Sequence, residues 1–267
     1  MLASLPMYDF PELASASADW WAGLRRHFAA QGLSDLPQNL TQGVDPIGQW
    51  EGPPLIFSQT CGYPMTHSLA RKVRLLATPR YAAPGCAGPT YVSWIVVRRD
   101  DPAERFADLR GRVPTFNGRD SQSGYNVLRA LAAPLATEGR FFSAGMESGA
   151  HRKSMALVAA GKADVATIDC VSFALIARNA PGEVANLRVL CASVSAPSLP
   201  YVTSALTDDA TVKQLQAGLL AACADPSLTA ARQALLLEGC EILTPACYDN
   251  ILAIEQQAAA FGYPELN

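Results

Sequence analysis

Strand-like and helix-like stretches alternate along almost the whole chain, and this alternation predicts an α/β fold with mainly parallel sheets. Helix-type segments carry apolar residues at four-residue spacing, as in Trp20, Leu24 and Phe28. Apolar runs of strand length, such as Tyr91 to Arg98, are bounded by turn-forming Gly and Pro. The 267 residues are 49% hydrophobic and 17% charged with a net charge of −3, a globular composition with length enough for a buried core.

In order, Leu5 to Phe10 reads as a first strand and Ala14 to Gln31 as a helix stopped by Gly32. Pro54 to Ser58 is a buried strand, followed by the loop Gln59 to Pro64, helical residues from Met65 to Arg71 and a strand from Val73 to Thr78. The Pro/Gly connector 84–89 leads to strand 91–98, and Asp100 to Glu104 signals a helix ending at Gly111. Strand 112–116 then precedes a helix bearing Val127, Leu131 and Leu135, and strand 140–144 precedes one bearing Met155 and Val158. Strand 164–168, a helix over 172–178, strand 187–194 and a largely helical tail complete the reading.

The scattered Lys and Arg residues form no basic stripe, so no nucleic-acid partner is expected. No apolar run approaches the roughly 20 residues that span a bilayer, so no direct membrane insertion is expected either. The N-terminus lacks a basic segment and a long apolar one and reads as structure, not as a signal peptide; the chain is cytoplasmic, or its leader has been removed. Seven cysteines without a CxxC pattern read as buried small hydrophobes, with a Cys240–Cys247 disulfide open in an oxidising compartment. No metal or cofactor is expected.

Two loops carry the chemistry. Asp120-Ser121-Gln122-Ser123-Gly124-Tyr125 and Ser148-Gly149-Ala150-His151-Arg152 each follow an apolar segment and open a helical one. The first amides of a helix are unpaired and carry partial positive charge, so two such ends with hydroxyl and imidazole donors suit a small oxyanion. Taken singly, Ser123 and Ser148 are equally ordinary N-caps; the pair, with His151, favours the anion site. Asp169 reads either as a cap for the next helix or as a ligand contact. Tyr8 and Tyr63 stand where strand ends face a crevice, and Tyr63 is preferred because Gly62 and Pro64 fix its loop. His27 reads as a surface residue, and His67 near Cys61 lacks a third orienting group for thiol chemistry.

The ordered series Tyr91-x-Ser93-x-Ile95-Val96-Val97-Arg98, Asp120-Ser121-x-Ser123-Gly124-Tyr125, Gly149-x-His151 and Ala160-Gly161-Lys162-Ala163-Asp164-Val165-Ala166 resembles the phosphate/phosphite/phosphonate-binding proteins of ABC importers. The resemblance covers about residues 1 to 250. It implies a type II periplasmic-binding-protein fold, two α/β lobes joined by two crossover strands with ligand held in the cleft. Lobe one would be 1–97 plus 194–267 and lobe two 98–193, with crossovers near Val97 and Ala192. It further implies Ser121, Gln122, Ser123 and His151 as lobe-two donors and Tyr91 as a lobe-one donor. Gln122 departs from the small hydroxyl residue usual in the family. The stretch 196–201 lacks the carboxylate that relatives use for an amine-bearing tail.

The implied function is non-catalytic binding of a small phosphate-, phosphite- or phosphonate-type anion, for ABC import, with a transporter membrane component as partner, or for sensing. The alternative is an enzyme on the same scaffold, such as a cofactor-precursor or pyrimidine synthase. No GxSxG elbow, GxGxxG turn, P-loop or HExxH motif supports it.

Overall fold

The computed structural model describes residues 1–43, 46–51 and 55–266. It divides into two compact units: Met1–Ala82, Ala87–Pro89 and Pro197–Cys247, and Ala83–Cys86, Thr90–Ala196 and Tyr248–Asn267. These bounds differ from the expected 1–97 plus 194–267 and 98–193. Residues 90–97 and the C-terminal segment belong to the second unit, and the strands near Val97 and Ala192 lie inside it.

The first unit holds a five-stranded sheet in the order Leu2–Ala3, Leu55–Gln59, Tyr201–Ser204, Val73–Tyr81, Leu237–Glu241. Only its first pair is parallel. Helix Ala14–Ala30 buries Trp20, Trp21, Leu24 and Phe28, as the four-residue spacing predicts. Phe57 joins an aromatic cluster there, stacked on Trp21 and tilted against Phe28 and Tyr201, with Trp21 edge-on to Phe28.

The second unit has the sheet order Leu187–Ala192, Ser93–Arg98, Val165–Asp169, Pro114–Phe116, Met146–Glu147. The last three strands run parallel and the first two pair antiparallel. Both sheets are therefore mixed, which corrects the expectation of mainly parallel ones. Ile95, Val97, Phe116, Leu128, Phe141 and Val165 form its core, joined by Ala258, Tyr263 and Leu266 from the chain's end.

Several local expectations give way to identifiable forces. Leu5–Phe10 is not a strand: Pro6, with no N–H to give a ladder, opens the 3-10 turn Pro6–Tyr8. Met65–Arg71 is not a helix; the helical turn ends at Thr66. Pro54 lies outside the described residues. The helix expected before Gly111 shrinks to the turn Phe106–Leu109. Side chains there compete with helical bonding: Asp108 accepts from the Glu104 and Arg105 amides, each at 3.0 Å, and Asp101 from Ala103 at 2.9 Å. Segment 140–144 is not a strand, because Phe141 and Phe142 both enter the core, whereas adjacent strand residues point to opposite faces. The tail contributes two strands to the first sheet as well as helices.

The C-terminal helix Asp249–Ala260 packs on helix Val127–Ala132 through a buried polar chain. Arg129, only 5% exposed, donates to Asn126 Oδ1 at 2.6 Å, Glu255 Oε1 at 3.1 Å and the Pro264 carbonyl at 2.7 Å. Its guanidinium also lies over the Tyr125 ring, 5.5 Å from the centroid. Removing one member of a buried ion pair strands the other, at about 3–5 kcal/mol; Glu255 keeps a water-facing side, so Glu255→Ala should cost roughly 2–4 kcal/mol. Urea unfolding measures it, and a loss below about 0.5 kcal/mol, the size of an ordinary surface change, would contradict this role.

Candidate functional site

Three parallel strands of the second unit end side by side, and each feeds a helical start. Pro114–Phe116 leads to the π-turn Gln122–Asn126, Met146–Glu147 to helix His151–Ala159, and Val165–Asp169 to helix Cys170–Asn179. Open α/β sheets present ligand sites at such carboxyl ends.

The first start is built tightly. Ser121 caps it, its Oγ accepting from the Gly124 amide at 3.0 Å. The amides of Gln122 and Ser123 fall in the first turn, where no helical carbonyl can reach them, and these residues are 1% and 4% exposed. Gly124 is required by space: a Cβ there would sit 1.9 Å from Asn117 Oδ1. Asn126 Nδ2 donates to Gln122 Oε1 at 2.7 Å and to the Ile251 carbonyl at 3.2 Å, which moors the turn to the C-terminal helix.

His151 comes from the second start. Its Nε2 stands 2.8 Å from Ser123 Oγ, and Ser123 Oγ is 3.5 Å from Ser121 Oγ. Although the residue is half-buried, its Nδ1 is sealed from solvent. Burial pushes the imidazole pKa down to about 4, with the Thr167 backbone acting in the opposite direction. At neutral pH the ring is uncharged, so it offers an anion a dipole and not a full charge.

Ser121, Gln122, Ser123 and His151 are thus brought together. Asp169 caps its own helix, with Oδ1 accepting from Val171 at 2.7 Å and Ser172 at 2.9 Å, so the capping reading holds for that oxygen. Tyr91 is buried and belongs to the second unit, which corrects its assignment to lobe one. Tyr63 belongs to the first unit, where its ring stacks on His67 at 3.8 Å. Tyr8 packs edge-on against Tyr81. Ser148 is a structural clip, donating to the Phe116 carbonyl at 3.1 Å and bonding Ser154 Oγ at 2.7 Å.

Buried polar atoms around these elements lack a hydrogen-bond partner among the described residues: Gln122 Nε2, Ser93 Oγ, Thr167 Oγ1 and Asn117 Oδ1. Ser93 and Thr167 went unnoticed in the sequence as site candidates. They share one sheet face with Asp169, since Ser93 pairs with Asp169 and Thr167 with Ile95. A hydroxyl inside an otherwise apolar strand, as in Val165-Ala166-Thr167-Ile168, was the available signal.

The sequence matches the family described as "ABC transporter, phosphonate, periplasmic substrate-binding protein" over residues 55–248. The chain belongs to this family. Its members are transport receptors, not enzymes, which sets the synthase alternative aside. The fold is similar to that of a binding protein component of an ABC phosphonate transporter from Pseudomonas aeruginosa (TM-score 0.76, 15% identity, 98% of this chain and 87% of that one). It is also similar to PhnD1 from Prochlorococcus marinus, solved with methylphosphonate (0.75, 14%, 97% and 98%), and to a Xanthomonas citri protein solved with chloride (0.70, 15%, 98% and 98%). A search of proteins of curated function finds no match. The family architecture, two-lobed and mixed α/β, is the one the sequence resemblance implied.

A histidine held at about 4 in the folded protein and at 6.5 when unfolded binds more protons in the unfolded chain between these values. Its contribution is therefore complete above about pH 6.5 and is lost as pH falls towards 4, by at most about 3 kcal/mol. His151→Gln should flatten the stability-versus-pH curve across that window. Imidazole NMR placing the His151 midpoint near 6.5 would refute the dry environment.

Proposed function

We propose that the chain is a non-catalytic receptor for a small phosphorus oxyanion of the phosphate, phosphite or phosphonate type, which it delivers to the membrane component of an ABC importer. The anion sits on the second unit's strand ends. The Gln122 and Ser123 amides and the Ser121 and Ser123 hydroxyls donate to it, with neutral His151 beside them.

One observation carries this reading: the first amides of a buried turn lie beyond the reach of any helical carbonyl, and Gln122 Nε2 beside them is buried with no hydrogen-bond partner among the described residues. Buried unsatisfied donors are rare, because each costs about 1–3 kcal/mol, and a ligand oxygen relieves that cost. Gln122, unusual at the middle position, supports the same role. Its Oε1 is held by Asn126, which leaves Nε2 as a fixed donor. Tyr91 is included as a contact because it is buried in the same unit; Asp169 and Tyr63 are kept as secondary contacts. Asp169 would serve as an acceptor only for a protonated oxygen of the ligand, since a carboxylate repels a fully ionised one.

The Ser121→Ala/Ser123→Ala double variant should weaken binding of phosphate, phosphite or methylphosphonate, whichever binds tightest, by about 2–4 kcal/mol, from about 1.5–3 per bond to a charged group less the water that replaces it. Loss of the Ser121 cap should cost folding only about 1 kcal/mol. Isothermal titration showing equal affinities in the folded variant and the wild type would remove this loop from the site.

A further inference from the structure

Away from the anion site, the first unit carries a pair of free thiols in contact. Cys223 lies in the last turn of helix Asp209–Ala224 and Cys240 on strand Leu237–Glu241, two elements packed on each other. Their sulfurs are 3.5 Å apart. Cys223 is half-buried and reachable, whereas Cys240 is buried beneath it.

The surroundings are cationic. The hydrogen bond from Cys240, and after it the nearby guanidiniums of Arg232 and Arg80, hold the Cys223 thiol below its ordinary range against burial, while burial pushes Cys240 up. Arg80 lies across Gly239, where a Cβ would be 2.9 Å from its Nη2. Its carboxylate neighbour Glu241 is at 3.7 Å, and the Nε atoms of Arg80 and Arg232 are buried without a hydrogen-bond acceptor among the described residues. The Cys240–Cys247 bridge that the sequence left open for an oxidising compartment is not the pairing this geometry favours: Cys240 faces Cys223, and Cys247 is exposed against Thr244.

We infer that Cys223 and Cys240 form a thiol–disulfide exchange pair oxidised by low-molecular-weight disulfides, with Cys223 as the attacking sulfur and Cys240 as the resolving one. The Cys223 thiolate attacks one sulfur of the disulfide RSSR, forming a mixed disulfide and expelling RS⁻, which takes up a proton. Cys240 gives its proton to water and attacks Cys223 Sγ, expelling the second RS⁻. The protein's dithiol loses two electrons and RSSR becomes two thiols. Closing from 3.5 Å to a bond of about 2.05 Å asks for about 1.5 Å of side-chain movement.

A second pair supplies the control. Cys86 and Cys170 are also 3.5 Å apart, but the hydrogen bond with Cys86, burial and then the neighbouring Asp169 carboxylate all oppose ionisation of Cys170. Contact distance alone gives the two pairs equal rates; the arginines give Cys223–Cys240 the lead.

The reduced full chain would be incubated with oxidised glutathione, quenched with iodoacetamide at intervals and mapped as non-reduced tryptic peptides by mass spectrometry. The Cys223–Cys240 cross-link should form about tenfold or more faster than Cys86–Cys170, the gain expected when adjacent cations raise the thiolate fraction. In Cys240→Ser, Cys223 should accumulate as the glutathione mixed disulfide. In Cys223→Ser, Cys240 should stay alkylatable. Equal cross-linking rates for the two pairs, or full alkylation of Cys223 and Cys240 after exposed Cys247 has been glutathionylated, would overturn the inference. Both readings come from the wild-type chain, so they hold even if a serine variant fails to fold.

Discussion

A buried guanidinium cannot shed its charge and must find acceptors, and Arg129 finds them in three separate stretches of chain. One is Asn126, inside the turn that opens the candidate site. The others are Glu255 and the Pro264 carbonyl, at the chain's far end. Because Asn126 in turn holds Gln122 and the Ile251 carbonyl, the residues proposed to face the anion are set by contacts more than a hundred positions away in sequence. The same contacts draw Tyr248–Asn267 into the second unit.

The site that results is polar without being strongly charged. Arg152, beside His151 in sequence, is committed to Glu183 at 2.5 Å, and His151 itself is neutral near pH 7. In the proposed site, attraction for an anion would therefore rest on oriented amides and hydroxyls at strand ends and helix starts. Such dipoles are fixed before the ligand arrives, so they discriminate by geometry: an analogue lacking one oxygen leaves a donor dry and unpaired. The thiol pair inferred in the first unit differs in kind: burial keeps Cys240 protonated, while its hydrogen bond to Cys223 and the charges of Arg232 and Arg80 favour ionisation of Cys223.

The sequence alone determined the α/β class, most helices, the order of motifs that places the chain in its family, and the loops bearing Ser121, Gln122, Ser123 and His151. These features are local: capping, apolar spacing and turn chemistry act over a few residues and are written in consecutive positions. Tertiary structure decided the rest. Sheet direction, the strand Tyr201–Ser204, the membership of Tyr91 and the C-terminal helix in the second unit, and the partner of Cys240 all depend on pairings between distant segments. So did the His151–Ser123 contact and the dry imidazole, since desolvation belongs to the packed protein and not to the residue. Phe141 and Phe142 mark the boundary most clearly: their apolar run has strand character, but a core with room for both rings forbids the alternation that a strand requires.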